Sequence, residues 1–127
     1  MERRWVIVIL HLAASMVVAG IWIWLSSPVL RYGVLGDPGS FSQVFGTLKK
    51  GDTMEYVRNV LGDRYLDPEG ERSIREGFHD LAKAYPEQHP DGYRESDTAL
   101  AYSADNVVRL GILFRDGRII AFCSQPR

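Results

Sequence analysis

Val107–Cys123, V-V-R-L-G-I-L-F-R-D-G-R-I-I-A-F-C, reads as a β-hairpin. Asp116–Gly117 stands between two runs of apolar residues, and Asp-Gly readily enters the left-handed conformations that a two-residue hairpin turn requires. Such a turn pairs Phe114 with Ile119, Ile112 with Ala121, and Leu110 with Cys123. Strand alternation then points all six to one face, expected to be the core face. The reverse face holds Val107, Leu113, Ile120 and Phe122, with Arg109 as its only charge. A face that apolar is either covered by another element or is a contact surface. Residues 73–85 are expected to cover it in part, and Leu113, Ile120 and Phe122 are the candidates for any apolar patch left open.

Upstream, Thr98–Tyr102 reads as a further strand, separated from the hairpin by Ser-Ala-Asp-Asn. Three strands in sequence with short connections make an antiparallel meander. Before them the apolar period changes to that of helices. Phe41, Val44, Phe45 and Leu48 fall at i, i+3, i+4 and i+7, with Ser40-x-x-Gln43 as a capping box. Lys49, Lys50 and Gly51 close that helix. Asp52 or Thr53 caps the next, whose stripe is Met54, Val57, Val60 and Leu61, and Gly62 ends it. After a polar loop over 63–72, Ser73-x-x-Glu76 is a second capping-box pattern. Ile74, Phe78, Leu81, Ala82 and Tyr85 keep helical spacing behind it up to Pro86, although Gly77 weakens that helix.

At the other end, Trp5–Leu25 holds about twenty residues without a formal charge, close to the roughly 30 Å of a hydrocarbon core. His11 and Ser15 are its only polar side chains. Arg3 and Arg4 precede it, and Trp22 and Trp24 lie where indole rings favour the membrane interface. A cleavable signal peptide is the competing reading, with Ala-x-Ser or Ser-Ser pieces as cleavage sites. Its apolar region is usually about 7–15 residues and ends in small side chains, whereas this one is longer and ends in Ile-Trp-Leu. Residues 1–25 are therefore expected to be a transmembrane anchor bound to the lipid bilayer through residues 5–25. The two arginines place the N-terminus in the cytoplasm and the rest of the chain outside it. Residues 26–40, rich in Gly and Pro, are expected to be a linker, and residues 41–127 a small α+β domain.

Composition narrows the function. The chain of 127 residues has a formal net charge of -1, from 15 basic and 16 acidic residues. Removing Glu2, Arg3 and Arg4 leaves 13 and 15, so the domain lacks the positive surface that a nucleic acid demands. Cys123 is the only cysteine, which rules out an internal disulfide and four-cysteine zinc sites, and its place in the strand makes it a small core residue. Glu76-x-x-His79 has the spacing of carboxylate-bridged di-iron helices, but the second copy such sites need is missing. Asp80, Glu87, His89 and Asp91 read as a charged face and a polar loop. No nucleophile elbow, phosphate loop or zinc-protease helix occurs, and acidic pairs such as Glu69/Glu71 and Asp91/Glu95 lie in polar loops. No catalytic residue, metal site or cofactor is expected. Tyr85, Tyr93 and Tyr102 with His89 are the aromatic candidates for a partner surface, because tyrosine buries area while keeping a polar tip.

Lys50–Gly62, K-G-D-T-M-E-Y-V-R-N-V-L-G, and Gly111–Phe122, G-I-L-F-R-D-G-R-I-I-A-F, together resemble the BamE (SmpA/OmlA) family of envelope domains. That resemblance implies helices layered on a three-stranded meander, related in shape to half of β-lactamase inhibitor protein. It covers about residues 41–62 and 98–123. Three departures stand against transferring a role in β-barrel assembly: an apolar anchor replaces the lipidated cysteine, residues 63–97 add a segment, and Asp63 stands where the family often has proline. What carries over is a small envelope domain that binds another envelope protein without chemistry. An inhibitor or immunity-type domain and a membrane-bound enzyme are the alternatives.

Overall fold

Asp116 and Gly117 turn the chain at φ 54° and 76°, and the strands they join run antiparallel from Val108–Arg115 (β2) to Arg118–Pro126 (β3). The computed structural model describes residues 2–127. Thr98–Tyr102 (β1) completes a three-stranded sheet in the order β1-β2-β3, so the meander forms as expected.

Register departs from the simple pattern one pair beyond the turn. Phe114 faces Ile119, but Leu113 then faces Ala121, so Ile120 is an extra residue in β3. This bulge shifts everything beyond it by one position and therefore to the other face. Ile112 pairs with Phe122 and Leu110 with Ser124, in place of the expected Ala121 and Cys123. Phe122 thereby joins Phe114, Ile112 and Leu110 on the main core face, while Ile120, Ala121 and Cys123 lie on the reverse.

Both faces of the sheet are covered. On the main side pack Pro28–Leu35 (α2), Pro38–Thr47 (α3) and Met54–Leu61 (α4). Tyr32, Phe41, Val44, Val57 and Leu61 meet Leu100, Tyr102, Ile112, Phe114 and Ile119 there, all of them buried. Phe41 lies at the centre, 5.6 Å from the rings of both Tyr32 and Tyr102. Glu71–Ala84 (α5) covers the reverse side, where Ile74 and Phe78 bury Ala99, Ala101 and Leu113.

Three local readings need correction. Residues 26–40 are no linker. Ser27 caps α2 by accepting from Leu30 N, Asp37 caps α3 by accepting from Ser40 N at 3.2 Å, and Gly36 ends α2 at φ 62°. Pro28 and Pro38 stand at the first turns, where proline is favoured because no helical N–H is lost. Tyr32 then reaches the core, and its hydroxyl donates to Leu61 O at 2.8 Å. The box expected at Ser40 therefore belongs to Asp37, three residues earlier. Ser73 is likewise no cap: α5 begins at Glu71 after a 3-10 turn over Pro68–Gly70, and Ser73 Oγ donates to Gln125 Oε1 at 3.0 Å. Gln125 Nε2 returns a bond to Ser73 O, so the end of β3 is tied to α5 across Gly77. Thr53, one of the two expected caps of α4, accepts from Tyr56 N.

Glu2–Ser26 (α1) is a 25-residue helix whose Arg3–Trp24 stretch is long and apolar enough to cross a membrane. None of that stretch is buried against the domain, so it is no core helix.

Candidate partner-binding surface

The residues proposed from sequence do not form one patch. Leu113 is buried beneath α5, and Phe122 packs on the opposite side of the sheet, 5.8 Å from the Phe45 ring. Ile120 is half-buried on the α5 side, where it shares a narrow crevice with Phe78, Ala82 and His89. Tyr102 is wholly buried, and desolvation pushes its hydroxyl up to about 12. An exposed apolar sheet face is therefore absent among the described residues. Tyr85, His89 and Tyr93 all lie in the segment that leaves α5.

That segment is irregular but strongly held. Tyr85 ends α5 with its N–H on Leu81 O, and Pro86 cannot continue the helix. His89 N donates back to Tyr85 O, and Gly92 turns the chain at φ 64° with its N–H on His89 O. The far end is fixed by Asp97, a buried residue in front of β1. Its carboxylate accepts from Arg94 N and from two nitrogens of Arg115, and Arg115 Nη1 donates to Asp91 O at 2.8 Å. These Arg115 bonds first, with the Arg94 N–H, hold the Asp97 carboxyl below the usual carboxylate range despite its burial. A guanidinium fork on a buried carboxylate is the rigid form of such a pair.

Between this segment and the outer side of α5 lies an open concavity of about 510 Å³, lined by Arg72, Arg75, Glu76, His79, Asp80, Tyr93 and Glu95. His79 and Tyr93 pack edge to face with ring centroids 5.4 Å apart, which joins the helix to the loop. Arg72 Nε lies 3.3 Å from Glu76 Oε1, one helical turn on. Both side chains are well exposed, so the pair contributes little to stability and is free to be re-partnered. Cations, carboxylates and one tyrosine interleave around a wide mouth.

Two further polar groups serve structure. Asp67 accepts from Gly70 N, Ser103 Oγ and Arg109 Nε, all within 3.0 Å. Burial pushes its carboxyl up, but these bonds more than offset it and hold it below the usual range. Cys123 is half-buried under α5, and desolvation raises its thiol to about 11, which leaves it protonated and inert as a nucleophile at neutral pH. Among the described residues no three His, Cys, Asp or Glu side chains converge as metal ligands would. In α1, His11 and Ser15 share one face with Ala14, Val18, Ala19 and Trp22.

Comparison of the chain with protein-family models, curated proteins and solved structures finds no match.

Proposed function

We propose that this chain is a non-catalytic binding subunit of the bacterial cell envelope. α1 anchors it in the cytoplasmic membrane with its N-terminus inside, and the α+β domain outside presents the surface between α5 and residues 85–97 to another envelope protein. The observation that carries this reading is the unburied apolar helix Arg3–Trp24, attached directly to a folded domain. Arg3 and Arg4 at one end and Trp22 and Trp24 at the other support the orientation. Kinship with the BamE (SmpA/OmlA) family belongs to the same proposal. It is supported by the order of α3, α4 and the meander, while α2 and α5 have no counterpart in the resemblance.

A cross-linked pull-down from native membranes tests the reading, comparing the wild type with Arg72→Glu combined with Arg75→Glu and Tyr93→Ala. Arg72 and Arg75 are exposed on α5, whereas Tyr93 is half-buried against the reverse core, so the comparison is read only where circular dichroism of the variant matches the wild type. A partner recovered by the wild type and lost by this folded variant supports the proposal. Recovery of the same proteins by both, or of none by either, overturns the assignment of this surface.

A further inference from the structure

We propose that α2 is an interfacial helix whose outer face lies in the headgroup layer of the bilayer and fixes the domain against the membrane. This rests on the reading of α1 as a membrane anchor. α2 has two unlike sides. Tyr32 faces inward and is locked to Leu61 O, whereas Leu30 and Val34 lie about 160° away around the helix axis. Val34 is 72% exposed and Leu35 54%, and Leu30 and Val29 are exposed as well. The arc between Leu30 and Val34 carries no charge, and Arg31 at its edge is turned aside, its Nη2 donating to Gln43 Oε1. Leu30 and Val34, turned away from the domain that holds the helix, with Val29 and Leu35 on its flanks, favour another apolar environment.

The position of α2 identifies that environment as lipid. Only Leu25, Ser26 and Ser27 separate Trp24 from Pro28, and Ser27 N still bonds Ile23 O. At about 1.5 Å per residue, Val29 and Leu30 lie within ~9 Å of Trp24 along the chain, close to the headgroup layer, which is roughly 5–8 Å deep on either side of the core. Ser27 breaks the helix with an extended backbone, φ -107° and ψ 104°, so α2 does not continue the axis of α1. At the far end of α2 the Arg64 guanidinium stands beside Gly36, a cation at the rim of the apolar face. A cation at the edge of an apolar face is drawn to the anionic surface of a membrane.

The test uses the full chain with Cys123 replaced by Ala or Ser, whichever keeps the wild-type circular dichroism. It is reconstituted in vesicles of phosphatidylethanolamine and phosphatidylglycerol with brominated acyl chains. An environment-sensitive fluorophore is placed singly at Leu30→Cys, Val34→Cys, Ala14→Cys and Arg72→Cys. The expected result is several-fold stronger quenching by bromolipid at positions 30 and 34 than at 72, with position 14 quenched most. Quenching at 14 alone, with 30 and 34 as wet as 72, overturns the interfacial helix and leaves the anchor standing. Labels at 30 and 34 shielded from both water and bromolipid also overturn it, because protein then covers the face. If position 14 is not quenched either, the membrane reading falls and this inference with it.

Discussion

Arg115 grips Asp97 with two parallel hydrogen bonds, Nε to Oδ1 at 2.9 Å and Nη2 to Oδ2 at 2.8 Å, across 18 residues of sequence. The pair joins the turn end of the central strand to the loop that carries Tyr93. Removing Arg115 leaves a carboxylate in place of a pair, and the Asp97 side chain is fully buried. Arg115→Met is therefore expected to destabilise the domain by about 3 kcal/mol, read from the urea midpoint. Hydrogen exchange should rise first in residues 91–97, because Asp91 O loses its donor as well.

Acid should act on the same loop. Asp97 and Asp67 both have carboxyls held below the ordinary value near 3.8 in the folded state. A depressed folded value means that their stabilisation is complete above the unfolded value and is lost as pH falls through the folded one. Stability is accordingly expected to be level with respect to these two groups near neutrality and to decline below about pH 4. In Asp97→Asn combined with Arg115→Met the acid slope should be shallower, measured by thermal melts from pH 6 to pH 2.5.

Tyr32 links α2 to the rest of the domain through one buried hydrogen bond and its ring. Tyr32→Phe leaves Leu61 O without that donor and should cost about 1–2 kcal/mol. Tyr32→Ala removes the ring as well, at about 3–5 kcal/mol. Melting temperature measures both, and equal losses would show that the ring contributes nothing beyond the hydroxyl.

Gly111 is required by packing. A Cβ there would lie 2.8 Å from Ile74 Cδ1 and 2.9 Å from Cys123 Sγ, and closer still to Ile74 Cγ2. α5 comes down onto the sheet at this point. Gly111→Ala is expected to destabilise by about 1–3 kcal/mol through overpacking, with part of the loss recovered by Ile74→Val. A double mutant no more stable than Gly111→Ala would place the strain elsewhere.

How much of this was legible in the sequence depended on range. The hairpin turn was read because Asp116–Gly117 states its own geometry, and α4 was read from the cap at Thr53 and the stop at Gly62. The bulge at Ile120 was not, because it is selected by two layers of helices competing for opposite faces of β3, which the strand alone does not encode. α2 was missed because Pro28 and Gly36 read as breakers when they are the first turn and the stop of one short helix. Of the candidate surface, Tyr93 stands out in the sequence but His79 does not, and their meeting follows from the loop that Arg115 holds through a partner too far along the chain for any spacing rule.

Ser27, the single residue between α1 and α2, has a consequence for how a partner is met. A flexible tether would let the domain sample a volume well away from its anchor. This one allows almost no travel, because Tyr32 is already locked into the core eight residues beyond Trp24. On the proposed reading of α1 as a membrane anchor, a domain of this build would search by lateral diffusion in a plane, at a nearly constant height and tilt, and would meet partners that share its membrane or bring their own binding site down to it.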